Sequence, residues 1–165
     1  MTYKRFEDLP VWQAAIDLAA AIFALTEKPA FKGRHSLCDQ IERAAVSVSN
    51  NIAEGFERGT TQEILTFLYI ARGSVGEVRS MLCLLHRIPA FRDLKSEISD
   101  LKPQAEGISR QLRGWADSLQ NTGIKGQRYL TDKTRQTYQG KRERDEFLQK
   151  LERVRAGEPY AESKE

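Results

Sequence analysis

The chain has 165 residues, of which 40% are hydrophobic and 30% are charged, and its formal net charge is +3. This length and composition fit one soluble domain with a core of its own. No apolar run approaches the eighteen or so residues that a membrane helix needs, and the first residues do not form a signal peptide. We therefore expect a cytoplasmic protein without a membrane partner.

The first helix is predicted over residues 9–27, with Asp8 as its N-cap and Pro10 in its first turn. Its apolar residues form two neighbouring seams. One seam is Leu9, Trp12, Ile16, Ala19 and Phe23, and the other is Val11, Ala15, Leu18, Ile22 and Leu25. Because a helix that covers one partner needs about one seam, we expect this helix to contact both its own bundle and a further surface.

The second helix is predicted to begin with Ser36 as its N-cap and to end around residues 55–59. The third helix begins at Thr60 or Thr61, where Thr60 and Glu63 match a capping box. Because the connection is so short, the second and third helices should be antiparallel neighbours.

The third helix carries a sustained heptad seam and, beside it, a group of poor helix formers. The seam is Ile64, Leu68, Ala71, Val75, Val78, Leu82 and Leu85. Gly73, Ser74 and Gly76 lie in the same helix, although a glycine there costs about 1 kcal/mol relative to alanine. We expect these small residues to allow the close approach of another backbone.

The fourth helix is predicted over residues 92–120, with a kink near Ser99–Lys102 caused by Pro103. Its seam passes in phase through the proline, so we predict a single helix. No segment alternates with period two, which argues against a sheet. Four heptad-patterned helices with short connections predict an all-α fold, an up-down-up-down antiparallel four-helix bundle over residues 1–124. Residues 125–165 are predicted to form a charged, partly helical or disordered tail.

The positive charge is concentrated in that tail. Residues 1–124 hold 15 basic and 15 acidic side chains, whereas residues 125–165 hold 11 basic and 8 acidic ones. The excess of three cations therefore lies outside the predicted bundle. This asymmetry indicates an anionic partner, although a solvated tail without a partner would have the same composition.

A polar row runs beside the apolar seam of the second helix at helical spacing. Two interpretations are open: a network that fixes helix register or subunit contacts, and a ligand or nucleic-acid site. Counting back across the hairpin places Arg43 near Glu77, where an ion pair would be steadied by Ser47 and Ser74. The residues of the network are Gln40, Arg43, Ser47, Asn50, Glu54, Ser74 and Glu77.

Metal binding and catalysis receive little support from the sequence. The pairs His35–Cys38 and Cys83–His86 could meet at one end of the bundle, but their spacing matches no known zinc pattern. We expect no metal and no cofactor, and we expect both thiols to be free and buried. The chain has no glycine-rich phosphate loop and no nucleophile elbow, so we predict no catalytic residues and no enzyme activity.

Arginine side chains on the third and fourth helices, and arginine and lysine side chains in the tail, could contact phosphates. Tyr129 and Tyr138 lie between the basic residues of the tail and could stack on bases. The candidate nucleic-acid-binding residues are Arg72, Arg79, Arg87, Arg110, Arg113, Lys125, Arg128, Lys133, Arg135, Lys141, Arg142 and Arg144.

Three segments carry a resemblance to a known family: FEDLPVWQAAIDLA from residue 6, RAAVSVSNNIAEG from residue 43 and IARGSVGEVRSML from residue 70. They resemble the four-helix-bundle proteins encoded in intervening sequences of 23S rRNA genes. Relatives of that family include the accessory variability determinants of diversity-generating retroelements. The resemblance covers roughly residues 6–120, and it implies a four-helix bundle, a homopentameric ring and nucleic-acid binding. It implies no established reaction and no metal.

Two functional hypotheses follow from the residues and the resemblance together. The first is a non-catalytic nucleic-acid-binding or adaptor protein that acts on structured RNA or DNA, in one version as an accessory to a reverse transcriptase. The alternative is a structural oligomeric scaffold that binds a protein partner. In both cases the second apolar seam of the first helix predicts a homo-oligomer.

Overall fold

A computed structural model describes residues 3–121, together with Arg144, Phe147 and Leu148. Four helices occupy the first of these ranges: α1 (Pro10–Thr26), α2 (His35–Arg58), α3 (Thr61–Arg87) and α4 (Lys95–Gln120). The described part of the chain contains no strand, and none of its helices is long and apolar enough to cross a membrane. The predicted all-α four-helix bundle is therefore confirmed.

The bundle lies within one compact unit, Met1–Arg128, and a second unit is formed by Tyr129–Glu165. Within the first unit, consecutive helices pack against each other and α1 closes the bundle against α4. The predicted boundary after residue 124 stays a prediction.

Helix α1 begins where the sequence indicates, but its predicted cap is wrong. Asp8 ends a short 3-10 turn, Phe6–Asp8, and Leu9 occupies the N-cap position without a side-chain cap. A local turn thus takes up the residue that would otherwise cap the helix. The seam from Val11 to Leu25 is fully buried. The other seam is only partly covered, since Ile16 is 39% exposed and Phe23 is 41% exposed.

The hairpin between α2 and α3 follows the sequence signals closely at its turn. Gly59 ends α2 in the left-handed conformation with φ 75°, which glycine adopts without strain. Thr60 is the N-cap of α3, and its hydroxyl oxygen accepts from the backbone N–H of Glu63 at 3.3 Å. At the other end of α2 the prediction is wrong. The helix begins at His35 with Arg34 as N-cap, which places Ser36 inside the first turn.

All seven seam residues of α3 are buried, as predicted, but the close backbone approach lies elsewhere in the hairpin. A Cβ added to Gly73 or Gly76 would meet nothing within 4 Å in this chain. At Gly55 of α2 an added Cβ would lie 2.8 Å from the Cβ of Phe67. The residue that allows the close approach of α2 and α3 is therefore Gly55, near the turn.

A 3-10 segment, Pro89–Leu94, separates α3 from α4 and delays the predicted start of the fourth helix by three residues. Phe91 in this segment is fully buried, and its ring centroid lies 4.6 Å from that of Phe31. Burial of this ring fixes the connection against the end of the bundle. Helix α4 then continues through Pro103 as one helix, as the unbroken seam predicts.

Candidate nucleic-acid interface

The polar row on α2 is joined to α3 by a pair of hydroxyl groups, and an amide group of α2 supports this pair. The hydroxyls of Ser47 and Ser74 are 2.9 Å apart, as their predicted proximity requires. The side-chain amide of Asn51 donates to the Ser47 carbonyl at 2.7 Å and to Ser47 Oγ at 3.0 Å. Asn51 was not among the predicted residues, and the neighbouring Asn50 is exposed. The interhelical contact is therefore an uncharged one at the centre of the row.

The predicted ion pair between Arg43 and Glu77 is not formed. The guanidinium of Arg43 lies 3.7 Å from Asp39, one turn earlier on α2, and the Arg43 side chain is 80% exposed. A long exposed side chain can satisfy its charge locally and with water, so it need not cross to α3. The prediction was wrong because it assumed that this charge was partly buried.

The exposed part of the row lines an open groove of about 870 Å³ beside α2. Phe23 of α1 and Glu77 of α3 complete its walls. The predicted network residues that line it are Gln40, Arg43, Ser47, Asn50, Glu54 and Glu77, joined by Asp39, Glu42, Ala44, Val46 and Asn51. Four of the lining side chains are carboxylates and one is a guanidinium, so the groove has a formal charge of −3 and disfavours phosphate.

Most of the arginines predicted to contact nucleic acid on α3 and α4 have carboxylate partners. Arg79 lies 2.7 Å from Glu106, and Arg110 lies 3.9 Å from the same residue. Arg113 lies 3.6 Å from Asp117. These are exposed helix-face pairs, and such pairs are worth little in stability, but each reduces the charge that a phosphate would meet. Of the predicted helix arginines, Arg72 and Arg87 have no carboxylate within 4.0 Å among the described residues.

Positive charge gathers instead at the end of the bundle where α3 finishes and α4 begins. The pKa of His86 is lowered by Lys102, by partial burial, and by Lys95 and Arg87. Lys95 and Lys102 were not predicted as binding residues, since all the candidates predicted on α3 and α4 are arginines. Their spacing of seven residues, which places both on one face of α4, was the available signal.

The remaining predicted binding residues belong to the tail. Arg144 is described, and it is helical and exposed. The others lie outside the described residues: Lys125, Arg128, Lys133, Arg135, Lys141 and Arg142.

The cysteines and histidines do not form a metal cluster in the described part of the chain, where no group of three or more potential ligands converges. Cys38 is half-buried, and burial raises the pKa of its thiol, which makes the thiol less reactive. Cys83 is exposed, so the expectation that both thiols are buried is wrong for this residue. It lies on the outer face of α3, one position after the seam residue Leu82.

Comparison with known proteins places the bundle in a family. A search of curated proteins gives no significant match. The family model described as 23S rRNA-intervening sequence protein matches residues 7–114, which is more than half of the chain and includes the three motifs that carry the resemblance except for Phe6. The chain therefore belongs to the family of 23S rRNA-intervening sequence proteins.

Proposed function

We propose that the protein is a non-catalytic nucleic-acid-binding protein of the cytoplasm that acts on structured RNA or DNA. Membership of a family named for 23S rRNA intervening sequences supports this proposal. The observation that carries it is the separation of charge on the bundle. Carboxylates line the groove beside α2, whereas Arg87, Lys95 and Lys102 gather at one end without a carboxylate within 4.0 Å among the described residues.

The sequence of the tail carries further positive charge. Residues 125–165 carry the whole net charge of +3. In a ring of identical subunits every basic patch would be repeated, which would raise the local field and the effective concentration of contacts. Most protein–nucleic acid hydrogen bonds go to phosphate and sugar groups, which carry no sequence information directly. Such a surface would therefore recognise the shape of a nucleic acid and not its sequence.

The direct test measures binding of the full chain and of residues 1–124 to a stem-loop RNA and to duplex DNA between about 50 and about 200 mM salt. If about four phosphates are neutralised per complex, log affinity falls against log salt with a slope of about −3 to −4. Failure of both forms to bind at the lowest salt would refute the proposal. Binding by the full chain alone would assign the activity to the tail.

An accessory role beside a reverse transcriptase is a narrower version of the same proposal. It requires a polymerase gene next to the gene for this chain and co-purification of the two proteins. A genomic neighbourhood without such a gene would remove this version and leave nucleic-acid binding in place.

The exposed apolar residues of α1 favour the alternative of an oligomeric scaffold. Ile16 and Phe23 belong to the seam that the bundle leaves partly uncovered. A second copy of the chain is the occupant that the resemblance implies, in a pentamer. Light scattering of the full chain tests whether it forms an oligomer. If it does, binding of a protein partner in the absence of nucleic acid would support the scaffold.

A further inference from the structure

The end of the bundle formed by α3, the 3-10 segment Pro89–Leu94 and α4 brings cations together from three elements of the fold. Arg87 is the last residue of α3, and Lys95 is the first residue of α4. Arg92 lies between them in the 3-10 segment. These residues are close in the chain. The buried Phe91 also anchors the segment that connects them to the core.

The packing of α3 against α4 adds Lys102 and His86 to the same place. Arg79 of α3 contacts Glu106 of α4, which fixes how the antiparallel helices are aligned. On α3, His86 lies seven residues after Arg79. Because the two helices are antiparallel, His86 faces the position on α4 that is seven residues before Glu106. Lys95 and Lys102 lie about one helical turn before and after that position. The lowered pKa of His86, to which Lys102 contributes most, agrees with this placement.

The carboxylates nearest in the chain do not cancel this charge. Asp93 lies 3.5 Å from Arg92, and Glu97 lies 3.4 Å from Lys28 of α1. Arg87, Lys95 and Lys102 have no carboxylate within 4.0 Å among the described residues, so their charge remains at the end of the bundle. An open cavity of about 540 Å³ lies here, lined by Arg87, Pro89, Ala90, Arg92, Asp93 and Lys95. Its volume is within the range of about 300–1,000 Å³ that is common for ligand sites.

From this juxtaposition we propose that the end of the bundle is a binding site for backbone phosphates of structured RNA, contacted by Arg87, Lys95 and Lys102. The inference rests on the proposed function and places the phosphate contacts at this end of the bundle. Of the arginines predicted on α3 and α4, only Arg87 belongs to this site. Phosphates that enter the cavity would meet Arg87 and Lys95 in its lining, besides the Arg92–Asp93 pair, and Lys102 lies close by beside His86. His86 would then lie beside an anion and would bind a proton more readily than in the free protein.

The test uses two full-length variants that each remove two cations. Lys95→Gln/Lys102→Gln removes charge from the site, and Lys4→Gln/Arg5→Gln removes the same charge at the opposite end of the bundle, where α1 begins. All four side chains are at least partly exposed, so both variants should fold, and circular dichroism checks this. Affinity for a stem-loop RNA is measured across a salt series. A proton NMR titration follows the His86 ring, assigned with His86→Gln, in free protein and with RNA.

If Lys95 and Lys102 each neutralise one phosphate, the site variant binds about 25- to 60-fold more weakly at 0.1 M salt and its salt slope is smaller by about 1.4–1.8. The variant with changes at Lys4 and Arg5 should retain the parental affinity, and RNA should raise the pKa of His86. Equal losses in the two variants, or an unchanged His86 titration in a saturated complex, would overturn the site. RNA binding that is intact in the site variant would overturn it while leaving the proposed function standing. Absence of RNA binding by the parent chain would instead refute the function itself.

Discussion

The substitution Gly55→Ala tests the closest packing in the hairpin. The added methyl group would lie 2.8 Å from the Cβ of Phe67, 3.5 Å from the Cα of Ile64 and 3.6 Å from its carbonyl oxygen. A Cβ and a Cα are fixed by the backbone, so no change of side-chain rotamer can relieve this contact. Helix α3 would have to move away from α2, which would loosen the buried contacts around the turn.

The expected magnitude follows from two opposing effects. Overpacking of this kind costs about 1–3 kcal/mol. Replacing glycine by alanine inside a helix returns at most about 1 kcal/mol, which leaves a net destabilisation of about 0–2 kcal/mol. The matched control is Gly73→Ala in α3, where the new methyl meets nothing within 4 Å and only the helix propensity changes. That control should stabilise the protein by about 0.5–1 kcal/mol.

Urea unfolding followed by circular dichroism gives the free energy of unfolding of both variants. We expect Gly55→Ala to be less stable than Gly73→Ala by about 1–3 kcal/mol, or by several degrees in Tm at about 2–4 °C per kcal/mol. Equal stability of the two variants would show that α2 and α3 do not approach as closely as described. Gly76→Ala provides a second open position and should behave like Gly73→Ala.

Four further predictions concern the cap of α3, the interhelical hydroxyls and the exposed seam of α1. Thr60→Ala should lower the free energy of unfolding by about 1 kcal/mol through loss of the N-cap, which thermal unfolding will measure. The pKa of Glu63 is lowered, chiefly by the hydrogen bond from Thr60. The ionised Glu63 therefore stabilises the fold at neutral pH, and this contribution is lost as the pH falls below about 4.5. If the difference in free energy of unfolding between the parent chain and Glu63→Gln stayed constant between about pH 3 and 7, this prediction would be contradicted. A double-mutant cycle of Ser47→Ala and Ser74→Ala should give a coupling energy of about 0.5–1.5 kcal/mol, and strict additivity would show that the two hydroxyls do not interact. Phe23→Gln should leave the fold intact and shift the oligomer towards single subunits in light scattering, a prediction that fails if the parent chain is already monomeric.

Helix positions were predictable because heptad seams and helix stops are local signals. The seam of α3 and the stop at Gly59 each depend on residues that are close in the chain. The caps at Asp8 and Ser36 failed for a physical reason that a local pattern cannot supply. Asp8 belongs to the 3-10 turn Phe6–Asp8, and α2 begins at His35, one residue before Ser36, so neither side chain occupies an N-cap position.

The candidate site was less predictable because it depends on which long side chains find partners. Arg79 and Glu106 are 27 residues apart, and the sequence alone does not say that they meet. For the same reason the sequence did not indicate that Lys102 lies near His86. The two residues are close because α4 packs antiparallel to α3. An alignment of the two helices that counted outward from the Pro89–Leu94 connection would have placed Lys95 and Lys102 around His86.

The polar row of α2 allowed two interpretations, and the geometry favours a network over a phosphate site. Ser47 and Ser74 tie the helices through neutral hydroxyls, while the charged members of the row turn outward into a groove of formal charge −3. A phosphate entering that groove would face net repulsion, whereas at the end of the bundle it would meet Arg87, Lys95 and Lys102, which have no carboxylate within 4.0 Å among the described residues. The bundle thus offers a polyanion one favourable approach and one unfavourable approach. Charge reversal at the end, for example Lys95→Glu, should therefore weaken RNA binding far more than Arg43→Glu in the groove.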